Sequence, residues 1–335
     1  MNFKLFFSIT TIIIFSAISF YINNIAWILN FLITIWCYTI IFYCIHIVWN
    51  NLRKKEVIES WEYIKNFIFK ISLVILISTS TIWWLSFLSN NVFPAEMPEY
   101  TISNWEKTVK FQAMVHIWKE TFYDEIAKNI ENFKEKWWVY FFEWVKPGKE
   151  ENAKKFNEAL WVEFDEDLYK NFSKLYGVTF QDNSKFLWLV NDKDFNVDLN
   201  IDQIVELYDE KIKKSEKKET NTPPLDANKE IIKTLSLLNE KELQILVYVN
   251  QAMLNLLISS EEIQTTLTNN FWNKELFEVI LEERNKVLVN EIVNSEYKDI
   301  YTTYWLLHFK WVFNLLKEND PKWEIIEVNN LYPIK

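Results

Sequence analysis

Two histidines and one glutamate each follow a short apolar run, a pattern typical of acid–base or metal sites. The three residues are His116, Glu143 and His308. Imidazole and carboxylate groups are suitable ligands for Zn, Mn, Fe or Co. A catalytic ion would keep one coordination position open for water, whose lowered pKa makes hydroxide available. The alternative is that all three are hydrogen-bonded residues at the edge of a sheet.

The first two of these residues belong to one predicted β-α-β unit. It consists of a strand, a helix and a strand at Thr108–Val115, Phe122–Lys136 and Val139–Phe142. Parallel strands joined in this way end at the same edge of a sheet, where open α/β sheets bind ligands. We therefore expect His116 and Glu143 to lie near each other. His308 ends a predicted strand that begins at Ile300, and only the fold can bring it to the other two.

The composition is unusual in two residue types, with 2 glycines and 17 tryptophans. An average chain of this length carries about 23 glycines. Several tryptophans stand at helix caps or tight turns, positions that favour a positive φ or the absence of a Cβ. They are Trp137, Trp138, Trp144 and Trp161. We infer that UGA codons of this gene specify glycine and are written here as tryptophan. The alternative is a tryptophan-rich membrane protein with aromatic belts.

Three apolar segments in the first 92 residues predict three transmembrane helices. They cover residues 5–22, 25–49 and 67–89, and each is long enough to cross a bilayer, which takes about 20 residues. Arg53, Lys54 and Lys55 lie between the second and third segments, and the positive-inside rule places that loop and the amino terminus in the cytoplasm. The remainder of the chain is then predicted to be extracytoplasmic.

The polar part of the chain is predicted to be one α/β domain. Residues 93–107 contain two prolines and are predicted to be a linker, and residues 108–335 are predicted to form a mixed sheet with flanking helices. Beyond residue 100 the chain carries 30 basic and 41 acidic residues, which argues against a nucleic-acid-binding surface. Both cysteines, Cys37 and Cys44, lie in an apolar segment, so no disulfide framework is predicted.

Read with glycine for tryptophan, Trp305–His308 becomes the motif G-x-x-H, followed by another glycine at Trp311, a helix and a closing strand. This pattern resembles the carboxy-terminal signature of the TraB, GumN and TIKI family. The segment Ala113–His116 resembles the family's amino-terminal G-x-x-H, with alanine in place of glycine. Glu143 matches its strand-end glutamate, and the segment ending in Arg284 and Asn285 resembles its helical E-R-N motif. Gln181 and Asp198 match a glutamine and an aspartate of the family more loosely. The resemblance covers residues 108–330.

The resemblance implies an α/β fold with two half-sites and, in the TIKI branch, a metal-dependent protease that favours Mn or Co and acts on secreted signalling proteins. Similar chemistry here would use His116, Glu143 and His308 around a divalent ion, Mn, Co or Zn, that activates water against a carbonyl group of a peptide or protein substrate. Glu143 would be a ligand or a general base. Arg284 would stabilise the oxyanion or hold a substrate carboxylate. Gln181 and Asp198 would contact the substrate.

Two other functions and several simpler roles are open from sequence. One function is a non-catalytic protein that binds a peptide signal, because some family members are linked to pheromone inhibition. The other is a haem- or metal-handling protein. Among the residues, Arg284 could form an ordinary surface ion pair, Asp198 could cap a helix that begins near Asp202, and the histidines could be core residues.

Overall fold

The computed structural model describes residues 3–22, 25–56, 58–160, 166–215, 227–260, 262–264, 266 and 273–331. Trp161 lies outside these residues. The chain divides into two compact units. The first comprises Met1–Leu88 and Leu235–Val249, and the second comprises Ser89–Thr234 and Asn250–Lys335.

The first unit contains three apolar helices, as predicted. They are α1 (Phe3–Ile22), α2 (Ile25–Leu52) and α3 (Ser60–Phe87), and α3 continues into one π-helical turn, Leu88–Val92. All three are long and apolar enough to cross a membrane. Lys4 Nζ donates to Asn66 Oδ1 at 2.8 Å, so α1 and α3 start side by side and run parallel. The ring centroids of Tyr43 and Tyr63 are 5.1 Å apart, which makes α2 antiparallel to α3.

The third apolar helix begins earlier than the hydrophobicity predicts, at Ser60 rather than at residue 67. Its first two turns carry charged residues among aromatic ones, including Glu62 and Lys65. These residues belong to the helix but not to the apolar segment, because helical hydrogen bonding does not require an apolar sequence.

The second unit contains a six-stranded mixed sheet, which confirms the predicted α/β architecture. Its strands are β1 (Met97–Ser103), β2 (Thr108–Met114), β4 (Val139–Phe142), β6 (Phe195–Asn196), β7 (Asp299–Trp305) and β8 (Glu324–Leu331). Their order is β6-β4-β7-β2-β1-β8. The first four strands in this order are parallel, and β1 is antiparallel to both of its neighbours. A small antiparallel pair, β3 (Ile117–Trp118) and β5 (Thr179–Phe180), lies outside the main sheet.

The described helices of the polar region are α4 (Glu120–Glu135), α5 (Glu150–Leu160), α6 (Glu166–Tyr176), α7 (Asn183–Leu187), α8 (Ile201–Ser215), α9 (Ala227–Leu237), α10 (Glu240–Ser259), α11 (Lys274–Glu278), α12 (Arg284–Asn294) and α13 (Phe309–Asn319). Helices α4, α12 and α13 contribute residues spaced three or four apart, such as Ile126 and Ile130, to the core against the sheet. A second, smaller core lies among α5, α8 and α11.

The pattern that predicts one helix from Lys229 to Ser259 is divided by a cap. Asn239 Oδ1 accepts hydrogen bonds from the backbone N–H groups of Lys241 and Glu242. Glu242 Oε2 in turn accepts from Asn239 N–H at 2.8 Å. This reciprocal arrangement is a capping box, and it starts α10 as a separate helix.

The prediction of a linker over residues 93–107 was wrong, because Met97–Ser103 forms β1 and pairs with both β2 and β8. The β1–β2 turn contains Asn104 and Trp105, and Trp105 has φ 75°. Glycine adopts a positive φ without steric cost, so a glycine at position 105 would have marked a turn here. Written as Asn-Trp, the same turn gives no such signal.

The predicted β-α-β unit forms, with β4 at the predicted bounds, but its two strands are not neighbours. Strand β7 lies between β2 and β4 and pairs with both in parallel. This order was not readable from local sequence, because β7 is far away along the chain. Because β2, β4 and β7 are parallel, their carboxyl ends lie at one edge of the sheet. Residues 306–308, which follow β7, therefore begin at the same edge as His116 and Glu143.

The end of α4 has the geometry that glycine normally provides. Trp138 N–H donates to Phe133 C=O at 3.1 Å, and Trp137 N–H donates to Lys134 C=O at 3.0 Å, which together form a Schellman motif. Trp137 occupies the position where glycine is most common and has φ 69°. Trp138 and Trp144 are not among the described residues with a positive φ. Of the three predicted positions that the structure describes, Trp137 alone has a positive φ.

Candidate functional site

Three charged side chains form a buried cluster at the carboxyl ends of β4 and β7. Arg284 is 5% exposed. Its Nε and Nη2 atoms donate to the two carboxylate oxygens of Asp198 at 2.6 and 2.8 Å, and Nη2 also donates to Glu143 Oε1. The other oxygen of Glu143 accepts from the backbone N–H of Trp305 at 2.6 Å. Arg284 is thus a buried ion-pair residue, and the surface alternative was wrong.

The helix that carries Arg284 is preceded by an irregular turn. Residues Val279–Glu283 form a π-helical turn between α11 and α12. Val279, Ile280 and Leu281 of this turn are buried. Arg284, the first residue of α12, follows the turn and is buried as well. Single π-helical turns occur often at functional sites. The sequence pattern over Lys274–Asn294 predicts one continuous helix. Such a pattern does not show that the helix is interrupted by a π-helical turn.

The cluster keeps Glu143 ionised. Burial opposes ionisation, but the Arg284 guanidinium, together with His308 and His116, outweighs it and holds the pKa of Glu143 below its usual range. Burial likewise opposes the charge of Arg284, and the two carboxylates more than offset this and raise its pKa. A buried arginine between two carboxylates fixes the position of both. Glu143 therefore faces the edge of the sheet as a fixed carboxylate.

Asp198 positions Arg284 and does not contact solvent. Its side chain is fully buried, and its Oδ1 atom also accepts from the N–H of Leu199. The helix that follows is capped by Asn200, whose Oδ1 accepts from Gln203 N–H at 2.9 Å. The helix-cap alternative for Asp198 was therefore wrong, and as placed the residue has no surface for direct contact with a substrate.

His308 is buried, but it does not end a strand as predicted. Strand β7 ends at Trp305, and His308 closes a single 3-10 turn, Leu306–His308, at the start of α13. Its Nδ1 atom lies 2.6 Å from Asn285 Oδ1, and its ring meets Tyr304 edge to face at 4.7 Å between centroids. Because a carbonyl oxygen only accepts, this contact places the proton on Nδ1.

The second nitrogen of His308 has no partner in the described part of the chain. Nε2 is buried and makes no hydrogen bond. Burial lowers the pKa of His308 to about 3, against the opposing effect of Glu143. The imidazole is therefore neutral, and its Nε2 lone pair is available to a ligand. The sequence predicted no separate role for Asn285, which was noted only as part of the E-R-N motif. Its contact with His308 depends on the packing of α12 against α13.

His116 lies in the loop after β2 and is exposed. Its Nδ1 atom is 3.3 Å from Gln181 Oε1, and its C=O accepts from Gln181 N–H at 2.8 Å. The pairing of β3 with β5 brings these two residues together. The structure thus joins Gln181 to His116, although the two are far apart in sequence.

The candidate residues form three small groups near one edge of the sheet. They are His116 with Gln181, His308 with Asn285, and Glu143 with Arg284 and Asp198. Trp305 connects the three groups, because its ring centroid lies 5.9 Å from that of each histidine and its N–H donates to Glu143. No three His, Cys, Asp or Glu residues in the described ranges stand close enough to hold a metal ion.

The donor atoms fit a divalent ion in kind. Two imidazoles and one carboxylate match the ligands of Zn, Mn and Co sites, and the unpaired Nε2 of His308 is a ligand atom without a partner. The carboxylate oxygens of Glu143 already accept from Arg284 and Trp305. Glu143 and His116 would have to reorient for the three groups to meet.

Comparisons with known proteins identify no relative. No family model, no curated protein and no solved structure matches the chain. The resemblance to the TraB, GumN and TIKI family therefore stays a prediction.

Proposed function

We propose that the protein is a membrane-anchored hydrolase, a peptidase that activates water at the edge of the sheet beside His308 and Glu143. The observation that carries the proposal is the buried, unpaired Nε2 of His308. Leaving a buried polar atom without a hydrogen bond costs roughly 1–3 kcal/mol. Several other buried side-chain atoms of the described residues also lack a hydrogen-bond partner, but His308 Nε2 is the one that belongs to a candidate ligand residue. Such an atom calls for an explanation, such as a catalytic role or an unseen water or ion.

The residues divide the chemistry among them. His308 Nε2 accepts a hydrogen bond from a water molecule or coordinates an ion, because Asn285 occupies its other nitrogen. Glu143 is ionised, and it would take a proton from that water once its carboxylate turns from Arg284 and Trp305. Arg284 supplies a positive charge beside the site, which stabilises an oxyanion or holds a substrate carboxylate.

A divalent metal ion, Mn, Co or Zn, is part of this proposal. His308, His116 and Glu143 would hold it, and when bound it would lower the pKa of a coordinated water molecule. The support is the donor set and the unpaired Nε2. Gln181 would orient His116 through its contact with Nδ1.

A non-catalytic peptide-binding protein is the second candidate, and one observation favours it. One oxygen of Glu143 accepts from Arg284 and the other from Trp305 N–H. These hydrogen bonds stabilise the fold at the sheet edge and leave the carboxylate less available as a base. In this case the sheet edge would bind a peptide without cleaving it.

Substitution of single histidines tests the hydrolase. The chain has 3 histidines, and the third, His46, lies in α2, which belongs to the other unit, and serves as the matched control. We expect His308→Ala and His116→Ala to abolish cleavage of a peptide library and to lower the bound divalent metal, while His46→Ala changes neither. Peptide binding that survives chelation and all three substitutions, without cleavage, would support the binding protein.

The proposal includes the predicted placement of the polar domain outside the cytoplasm. Within the membrane unit, α1 and α3 run parallel, so both end on the side opposite the basic loop at Arg53–Lys55. Lys241 Nζ donates to Tyr21 C=O at 2.8 Å near the end of α1. The start of α10 thus lies at the end of the three apolar helices that is opposite the basic loop. The chain also leaves α3 for the second unit at this end, which supports an extracytoplasmic domain.

A further inference from the structure

The indole ring of Trp305 lies against both candidate histidines. Its centroid is 5.9 Å from that of His116 and 5.9 Å from that of His308. On a further side it meets Phe277 edge to face at 6.4 Å. One aromatic side chain thus contacts the two imidazoles that belong to the proposed site.

The backbone of Trp305 is part of the site as well. Its N–H donates to Glu143 Oε2 at 2.6 Å, and its φ of −56° lies in the ordinary range. The backbone conformation of residue 305 therefore does not require glycine. Any need for a small residue at position 305 comes from the room its side chain takes up.

That room matters because two imidazoles that share one ligand must approach closely. An imidazole nitrogen binds Zn at about 2.0–2.1 Å, so the two rings and the ligand must meet without an intervening side chain. An indole in contact with both rings takes up space that would hold several water molecules, each of about 30 Å³.

We propose that residue 305 decides whether the site can take up a ligand: the tryptophan side chain fills the space beside His116 and His308, and glycine opens it. The proposal rests on the proposed function for the identity of the site, and it adds a specificity-determining residue to it. If position 305 is one of the UGA codons, the natural protein has the open site. The chemical class of the ligand is a small species that two imidazoles can hold, a water molecule or a divalent cation.

The test compares Co²⁺ uptake by the full chain in detergent, read from the visible absorption of the bound ion. We expect Trp305→Gly to bind one Co²⁺ at least tenfold more tightly than the chain with tryptophan. Trp188→Gly is the matched control, because Trp188 is 85% exposed and has an ordinary φ of −64°; it should bind Co²⁺ no more tightly than the parent chain. Adding His308→Gln to Trp305→Gly should remove the gain.

Two further measurements make the result decisive. Free indole, which has the size of the removed group, should weaken Co²⁺ uptake by Trp305→Gly. Thermal unfolding shows whether this variant is folded, and Trp305→Ala replaces it if it is not. Equal Co²⁺ affinity of the parent chain and the folded small-residue variant would overturn the proposal.

The outcome also separates this inference from the proposed function. Cobalt uptake that Trp305→Gly creates, without any peptide cleavage, supports the role of residue 305 and contradicts the hydrolase. The opposite outcome is peptide cleavage by the parent chain that depends on His308, with Co²⁺ uptake and cleavage unchanged in Trp305→Gly. It would support the hydrolase and contradict the role of residue 305.

Discussion

At the scale of single residues, the positive φ angles support the interpretation that some tryptophans stand for glycine. Among the described residues, Lys54, Trp105 and Trp137 are the non-glycine residues with φ in the left-handed region. A left-handed backbone costs a residue with a Cβ roughly 1–2 kcal/mol. Two of the three are tryptophans in tight turns, 81% and 86% exposed, so their side chains gain little from burial. Reading the codons decides the question, and UGG at these positions would end the interpretation.

Trp137→Gly should stabilise the protein by about 0.5–1 kcal/mol. The substitution relieves the strain of the left-handed backbone. It also removes a cation–π contact in which Lys193 Nζ lies 5.6 Å from the centroid of the indole ring. That exposed contact contributes about 0.5 kcal/mol. The thermal unfolding midpoint measures the change. Trp188→Gly is the control for removal of an exposed indole, and it should give no gain. An equal gain in both variants would mean that strain at Trp137 is not the cause.

His308 should make the stability of the metal-free protein depend on pH. Its pKa is about 3 in the folded protein and about 6.5 in an unfolded chain. Between these values the unfolded state holds one more proton, so the free energy of unfolding decreases as the pH falls, by about 1.4 kcal/mol per pH unit. We expect the unfolding midpoint to drop between pH 6.5 and pH 5 more steeply than in His308→Gln. Parallel curves would show that His308 is not buried as a neutral group.

At the scale of elements, the site depends on how α12 is held. This helix supplies Arg284 at its first turn and Asn285 next to it. Its carboxyl end is capped by Lys107, whose Nζ donates to Ile292 C=O at 2.7 Å and to Val293 C=O at 3.0 Å. A cation at a helix carboxyl terminus also interacts favourably with the helix dipole. The lysine therefore satisfies carbonyl groups that have no partner within the helix.

Lys107→Met should lower the free energy of unfolding by about 1.5–3 kcal/mol, the range for hydrogen bonds to a charged group. The apolar stem is retained, so the loss reports the ammonium contacts. Chemical denaturation of the full chain measures it, and Lys298→Met, at an exposed position near the same helix end, is the control. If both variants lose the same stability, the cap at Lys107 does not hold the helix.

At the scale of the whole molecule, the chain combines a unit of three helices long and apolar enough to cross a membrane and a mixed α/β unit, each with its own packing. The membrane helices show aromatic contacts such as Phe7 with Phe69 at 5.4 Å. The α/β unit has an apolar core around β2, β4 and β7. The basic residues Arg53, Lys54 and Lys55 lie in the loop before α3, and under the positive-inside rule this loop is proposed to be cytoplasmic.

Labelling of single cysteines in intact cells tests the proposed topology. In a chain with Cys37→Ser and Cys44→Ser, we expect Asp192→Cys to react with a membrane-impermeant maleimide and Lys54→Cys to react only after the cells are opened. Both positions are exposed loop residues, so they differ in the side of the membrane and not in accessibility. The reverse pattern would place the polar domain in the cytoplasm.

The sequence by itself determined the periodic and local features of this protein. The three apolar helices, the strand at Val139–Phe142 and the helices around it follow from hydrophobic patterns within one segment. The polar residues at strand ends were also visible, because apolar runs that end in His or Glu can be read directly. The hairpin at Asn104 was missed because tryptophan conceals a glycine-type turn.

The tertiary structure alone decided which of these residues meet. Strand β7 inserts between β2 and β4, since pairing of distant strands depends on the whole sheet and not on local sequence. Packing of α12 against α13 buries His308 and gives it Asn285 as a partner, and the ion pairs of Arg284 with Glu143 and Asp198 join residues from three separate segments. The chemistry was visible in residue types, but its geometry, including the indole of Trp305 against both histidines, was set by contacts between segments far apart in the chain.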